Sequence, residues 1–191
     1  MRKKLIIAGI VTAVFASGGW LSLQRRLPPG KPLPKEVRSF LDTTETFSLL
    51  SLNPTKPVPP EAVATWAMDS YPPSKRAAIT NAYKSAATKE TFHEYIVLGR
   101  ADIRDAGQRR ELLRALYKGI ARSGGRMAAC FNPRHGIHAT RGGKTVDLLI
   151  CFECSGIAVY ADTETGATTS NYPQPTFDSA LQRAGVLRPT D

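Results

Sequence analysis

The most constraining feature of this sequence is a pair of adjacent glycines, Gly142 and Gly143, with strand-like sequence on both sides. Two glycines between two strands are typical of a tight hairpin, because both central residues of such a turn need a positive φ. A two-residue turn also fixes the pairing, so that residues whose numbers sum to 285 face each other. His138 then faces Asp147, and we expect them to form a cross-strand polar pair.

The segments around this hairpin predict an α+β fold. Strands are expected at residues 47–52, 92–98 (closed by Gly99), 137–140, 145–152, 157–161 and 167–170. The main helix is expected at 105–122, because Asp105 is a good N-cap and the apolar residues that follow keep to one face. A last helix is expected at 176–184. We therefore expect an antiparallel sheet with one main amphipathic helix packed on a face, preceded by an N-terminal hydrophobic helix.

The N-terminal residues predict that the chain is directed to a membrane. Residues 5–23 carry no charge and follow three basic residues, so 1–26 is expected to be a signal peptide or a transmembrane anchor. Apolar character continues beyond the small residues that would suit cleavage before Ser17, which favours an uncleaved anchor that holds the chain in the membrane through residues 5–23. The tight basic cluster at the N terminus predicts that this end stays inside and that the domain is exported to the periplasm or the cell surface.

Prolines divide the rest of the chain. Four of them between Leu27 and Lys35 predict a stiff linker over 27–38, followed by a single domain over 39–191. Residues from about 60 to 88 predict a helical insertion beside the sheet, interrupted at 71–73, with Trp66 as its packing anchor.

The charge of the chain is compatible with an anionic partner and is also explained by a solvated basic surface. The formal net charge is +10, and Arg110, Arg114 and Lys118 recur at four-residue spacing on the predicted main helix. Such a stripe is suited to anionic lipid or to a cell-envelope polymer, but most stripes of this kind are simply the solvent-exposed side of a helix. Nucleic acid is not an expected partner of an exported domain.

The three cysteines lie in two neighbouring segments, which read CFNPRHGI at 130–137 and VDLLICFEC at 146–154. This pair of segments resembles an uncharacterised family of bacterial envelope proteins. The resemblance extends from about Phe47 to the end of the chain. It implies a shared fold, and it carries no established activity.

The cysteines allow three interpretations. The first is a tetrahedral zinc site formed by Cys130, His135, Cys151 and Cys154. The hairpin register argues against it, because His135 would face Ile150, on the side of the sheet away from Cys151. The second is a Cys130–Cys154 disulfide, which requires strand pairing to continue past Pro133 and is favoured by export. The third treats all three as small buried apolar residues.

An enzyme would need a nucleophile, a base and an orienting group, for which Cys151 or Cys154, His138 and Asp147 are the candidates. Cys151 lies four residues from Asp147 along a strand, or roughly 13 Å, so this triad is not expected to close. The leading hypothesis is therefore a non-catalytic membrane-tethered envelope domain without a cofactor. The alternative is a zinc-binding or thiol-redox module that uses the three cysteines and His135.

Overall fold

The structure is a computed structural model that describes residues 30–56 and 69–187. This part of the chain contains four helices, namely α1 (Lys35–Asp42), α2 (Pro73–Ala87), α3 (Ala106–Ala121) and α4 (Gln174–Arg183). The strands are β1 (Thr46–Leu52), β2 (Thr91–Phe92), β3 (Tyr95–Asp102), β4 (His135–Arg141), β5 (Lys144–Cys151), β6 (Gly156–Tyr160) and β7 (Thr165–Thr168). The predicted α+β class is confirmed.

The strands form one antiparallel sheet in the order β2-β3-β1-β4-β5-β6-β7. Its central hairpin has the predicted register, with His138 opposite Asp147. Gly142 and Gly143 have φ values of +56° and +74°, as a two-residue turn requires. The glycine pair therefore fixes which side chains of β4 and β5 share a face.

The two faces of the sheet are covered differently. The main core lies between the sheet and helices α1, α3 and α4, and its fully buried members include Leu49, Ile137, Leu148, Leu116 and Phe177. Because side chains alternate along a strand, the intervening residues lie on the opposite face. A smaller apolar cluster is buried there, formed by Leu50, Leu52, Phe92, Tyr95 and Leu149. We call this second side the open face, since α1, α3 and α4 pack on the other side.

The predicted strand at 92–98 is wrong in its details. The chain turns at His93 and Glu94, which have positive φ values of +48° and +73°, so two strands replace one. Non-glycine residues are uncommon in this conformation, and the sequence therefore gives no turn signal here. Gly99 does not end the strand either, because it pairs with Ser51 beside a bulge and β3 continues to Asp102.

The domain begins earlier than the predicted linker boundary at residue 38. Helix α1 starts at Lys35, and Leu33 is already buried in the main core. The carbonyl oxygen of Lys31 accepts a hydrogen bond of 2.9 Å from the amide of Thr168. Prolines before a helix are compatible with such packing, because extended chain and helix starts both tolerate the missing N–H.

Two predictions fall on residues outside the described ranges. The hydrophobic segment 5–23 is one, and the first half of the helical insertion with Trp66 is the other. The second half of the insertion is the helix α2. In the ranges 30–56 and 69–187, no helix is both long enough and apolar enough to cross a membrane.

Candidate functional site

The cysteines are paired differently from the prediction. Cys151 ends β5 and forms a disulfide with Cys154 across the turn at 152–155, which we call the disulfide turn. Cys130 is free and exposed, so the predicted Cys130–Cys154 disulfide is not formed. The prediction needed β4 to extend before Pro133, whereas β4 begins at His135.

The structure does not bring together the four residues predicted to bind zinc. His135 is 2% exposed and lies on the helix-covered face, where its Nε2 is 2.9 Å from Oδ1 of Asp178. The rings of Phe152 and Phe177 pack around it. Within the described part of the chain, no three histidine, cysteine or acidic residues are arranged to hold a metal ion.

Residues 127–131, which we call the crossing segment, run over the disulfide turn. The amide of Ala128 donates a hydrogen bond of 3.0 Å to the carbonyl oxygen of Cys154. Met127 and Phe131 lie against Gly156, where an added Cβ would be 2.8 Å from Sδ of Met127 and 3.3 Å from Cδ2 of Phe131. The free thiol of Cys130 is therefore carried by a segment that contacts the disulfide turn directly.

A row of polar side chains crosses the open face. Ser48, His138, Asp147 and Tyr160 are direct partners across β1, β4, β5 and β6, so all four lie on one face. The same strands supply the buried residues of the main core from their alternate positions. The hairpin register predicted the central pair of this row, His138 and Asp147.

Asp147 holds two imidazoles at once. Its Oδ1 is 2.7 Å from Nδ1 of His138, and its Oδ2 is 2.8 Å from Nε2 of His93. His93 reaches this position from the turn between β2 and β3, and its ring stacks on Tyr160 at a centroid distance of 3.8 Å. Sequence reasoning placed His93 alone in a strand, because nothing in the residues around it marks the turn.

Carboxylate oxygens accept hydrogen bonds, so the ring nitrogen of each histidine that faces Asp147 is the donor, and the other ring nitrogen of a neutral imidazole is an acceptor. Neither Nδ1 of His93 nor Nε2 of His138 has a hydrogen-bond partner among the described residues, and neither is fully buried. The site therefore presents two oriented imidazoles as acceptors.

These residues do not form a complete catalytic triad. The hydroxyl of Ser48, the strand neighbour of His138, donates instead to Oδ1 of Asp102 at 2.7 Å. The sulfurs of Cys151 and Cys154 are bonded to each other in the disulfide, so neither is a free nucleophile. His138 and Asp147 thus form a base and its orienting group with no nucleophile bonded to the base.

The rim of this site is polar and aromatic. The ammonium of Lys56 donates to Oε2 of Glu94 at 2.7 Å, and this hydrogen bond raises the pKa of Lys56 and lowers that of Glu94. Burial raises the pKa of Tyr160, and the nearby carboxylate of Glu164 adds to the effect. Burial also raises the pKa of Tyr95, whose hydroxyl donates to the carbonyl oxygen of Phe131 at 3.2 Å. Both phenols therefore remain neutral donors at neutral pH.

A second candidate surface lies on the far side of the helix layer. Arg110, Arg114 and Lys118 are exposed along α3, and Arg122 at its C-cap extends the stripe; we call these four residues the basic helix face. None of the four has a carboxylate within ion-pair distance in the described ranges. Lys118 and Arg122 lie over the ring of Tyr172, 4.8 and 4.3 Å from its centroid. A hydrogen bond from Lys118 lowers the pKa of Tyr172.

The N-terminal chain joins the domain beside this surface. Gly30, the first described residue, packs so closely on Ser123 that an added Cβ would be 2.7 Å from that side chain. Ser123 directly follows Arg122 in the sequence. The chain that leads to the N terminus therefore leaves the domain next to one end of the basic helix face.

No family model, no curated protein and no solved structure matches this chain. Its function has to be inferred from its own residues.

Proposed function

We propose that this chain is a membrane-tethered domain of the bacterial envelope, non-catalytic at its open face, that rests on the anionic surface of its own membrane through the basic helix face. The observation that carries the proposal is the row of four exposed cations on α3, none of which has a carboxylate partner in the described part of the chain. Cations without internal partners are neutralised by counter-ions or by an external anionic surface.

The spacing of the cations suits a flat charged surface. A four-residue step rises about 6 Å along a helix, so Arg110 to Arg122 covers about 18 Å on one side of α3. Each basic residue near an anionic membrane contributes about 1 kcal/mol, which gives roughly 4 kcal/mol for the four together. That energy is too small to recruit a soluble protein firmly. It is large enough to orient a domain that is already tethered.

The tether supports the same arrangement. If residues 5–23 lie in the membrane, six residues separate them from Gly30. Six residues span about 20 Å at most, even when fully extended. Because Gly30 lies beside Ser123, the end of the basic helix face is then held close to the headgroups.

Two further observations support export and the absence of acyl transfer at the open face. A Cys151–Cys154 disulfide is typical of proteins outside the reducing cytoplasm. The imidazole of His138 has an orienting carboxylate and lacks a bonded nucleophile, because Ser48 donates to Asp102. The open face is therefore better suited to binding than to acyl transfer.

The test is lysine footprinting of the full chain in lipid nanodiscs made from neutral phospholipid alone or with added anionic phospholipid. We expect acetylation of Lys118 to slow several-fold in the anionic discs and to recover in high salt, because salt screens exposed charges. Lys144, exposed at the tip of the central hairpin, serves as the internal control and should not respond.

An Arg110→Gln/Arg114→Gln variant should abolish the difference between the two lipids. Equal labelling of Lys118 in both kinds of disc would overturn the proposal. Protection that appears only when a soluble anionic envelope polymer is added would overturn it too, in favour of polymer binding.

A further inference from the structure

We propose that Cys130 is the attacking thiol of a thiol–disulfide exchange site, in which the Cys151–Cys154 disulfide is the internal acceptor and a dithiol on an exported partner is the substrate. This activity does not depend on the basic helix face. It concerns a different surface, and it makes use of the thiol-redox hypothesis raised by the three cysteines.

The disulfide is buried, whereas Cys130 is exposed. Cys151 and Cys154 are each 2% exposed, so a thiol on a partner cannot reach either sulfur directly. Cys130 is exposed in a segment without helix or strand. A partner in solution therefore meets Cys130 first, and electrons reach the buried disulfide through it.

Cys130 also lies close along the chain to Ala128, which contacts the disulfide turn. The amide of Ala128 is hydrogen-bonded to the carbonyl oxygen of Cys154, and Cys130 follows two residues later, at most about 7 Å along the chain. On the other side of Cys130, the ring of Phe131 lies against Gly156. Cys130 thus lies between two contacts of the crossing segment, one with Cys154 and one with Gly156, and the proposed reaction requires this segment to move so that the sulfur of Cys130 meets that of Cys154.

The first step is an isomerisation. The Cys130 thiolate attacks Sγ of Cys154, the Cys151–Cys154 bond breaks, and a Cys130–Cys154 bond forms. Cys151 leaves as the thiolate and takes up the proton that Cys130 gave to solvent. The amide of Cys154 already donates to Sγ of Cys151 at 3.2 Å, and this hydrogen bond favours the thiolate as the leaving group.

The second step transfers the electrons. A thiolate of the partner attacks Sγ of Cys130 and releases Cys154 as a thiolate, which leaves a mixed disulfide between Cys130 and the partner. The partner's second thiolate then attacks the partner sulfur of the mixed disulfide, which forms the partner's disulfide and releases Cys130 as a thiolate. The partner loses two electrons and two protons and becomes a disulfide, while Cys151 and Cys154 gain them and become thiols.

The experiment follows the reduction of Cys151–Cys154 in the full chain in detergent, with dithiothreitol as the probe dithiol. Samples are quenched with acid and alkylated, and cleavage after Arg134 and Glu153 places each cysteine on its own peptide. We expect reduction to be at least about fivefold slower in Cys130→Ser. The matched control is Ala129→Ser, which adds a serine to the same exposed segment and should reduce at the wild-type rate.

A Cys151→Ser variant tests the intermediate. In a glutathione buffer it should form a Cys130–Cys154 disulfide, visible as one linked pair of peptides. Separate glutathione adducts on Cys130 and Cys154 would overturn the proposal, as would equal reduction rates for wild type and Cys130→Ser. If Cys151→Ser does not fold, the rate comparison decides, because Cys130 is exposed and its replacement leaves the core intact.

Discussion

Asp147 is the residue with the most demanding role on the open face, because each of its carboxylate oxygens bonds a different imidazole. An asparagine there keeps one acceptor and turns the other oxygen into a donor, so one histidine must change its tautomer or lose its bond. We expect Asp147→Asn to lower the free energy of unfolding by about 1–3 kcal/mol, measured by urea unfolding in mild detergent.

The matched control for this variant is Asp162→Asn. Asp162 forms an exposed ion pair with Lys144, and such pairs contribute less than about 1 kcal/mol. If both variants lose the same small amount, the bonds of Asp147 to His93 and His138 do not stabilise the fold.

The glycine pair of the central hairpin gives a second prediction at the scale of single residues. An added Cβ meets nothing within 4 Å at Gly142 or Gly143, so alanine there is penalised only through its backbone angles. We expect Gly142→Ala and Gly143→Ala each to destabilise by roughly 1 kcal/mol in the same unfolding assay. Lys144→Ala, at an exposed ordinary strand position beside the turn, should change stability less. A Gly142→Ala chain as stable as wild type would argue against the two-residue turn.

The contrast between this turn and the one at His93 shows what could be predicted from the sequence. Gly142 and Gly143 reveal positive φ by their residue type, and the register of β4 and β5 follows from them. His93 and Glu94 also have positive φ values, although neither is a glycine. The residues on either side of them, Phe92 and Tyr95, are both buried in the apolar cluster of the open face. The pair His138–Asp147 was therefore predictable, whereas the second imidazole was not.

At the scale of elements, α3 follows its local signals closely. Asp105 is the N-cap, as predicted, and its Oδ1 accepts a hydrogen bond of 2.7 Å from the amide of Gln108. We expect Asp105→Ala to cost about 1 kcal/mol in the free energy of unfolding, and Asp105→Asn to cost much less, because asparagine caps nearly as well. Equal losses for both variants would assign the effect to charge rather than to the cap.

The cysteine pairing shows where element-level reasoning fails. The register of the central hairpin is reliable only while both strands last, and β4 starts at His135 while β5 stops at Cys151. Beyond these ends, the disulfide turn reverses the chain and lets Cys154 meet Cys151. The position at which a strand ends depends on how that end packs. The register of the central residues does not contain this information.

At the scale of the whole molecule, the two candidate surfaces lie on opposite sides. Helix α3 packs its apolar residues on one face of the sheet and exposes the basic helix face outward, while His138 and Asp147 lie on the open face. A domain that rests on the membrane through α3 therefore presents the two imidazoles to the compartment beyond. The alternation of residues in β4 and β5 predicted which side chains lie on each face of the sheet. Helix α1 was not predicted, because the prolines before it indicated a linker.

The last prediction concerns the compartment in which the domain is located and the oxidation state of Cys151 and Cys154 there. If residues 5–23 are an uncleaved anchor, a reporter that is active only outside the cytoplasm, fused after Asp191, should give signal, and a carbonate wash should leave the protein in the membrane fraction. Thiol trapping should find Cys151 and Cys154 oxidised in this exported chain. A control chain that lacks residues 2–23 should give no signal, stay soluble and carry both cysteines as thiols, since the cytoplasm keeps such pairs reduced. Release of a product that begins at Ser17 would show a cleaved signal peptide, and the tether would then be absent from the mature protein.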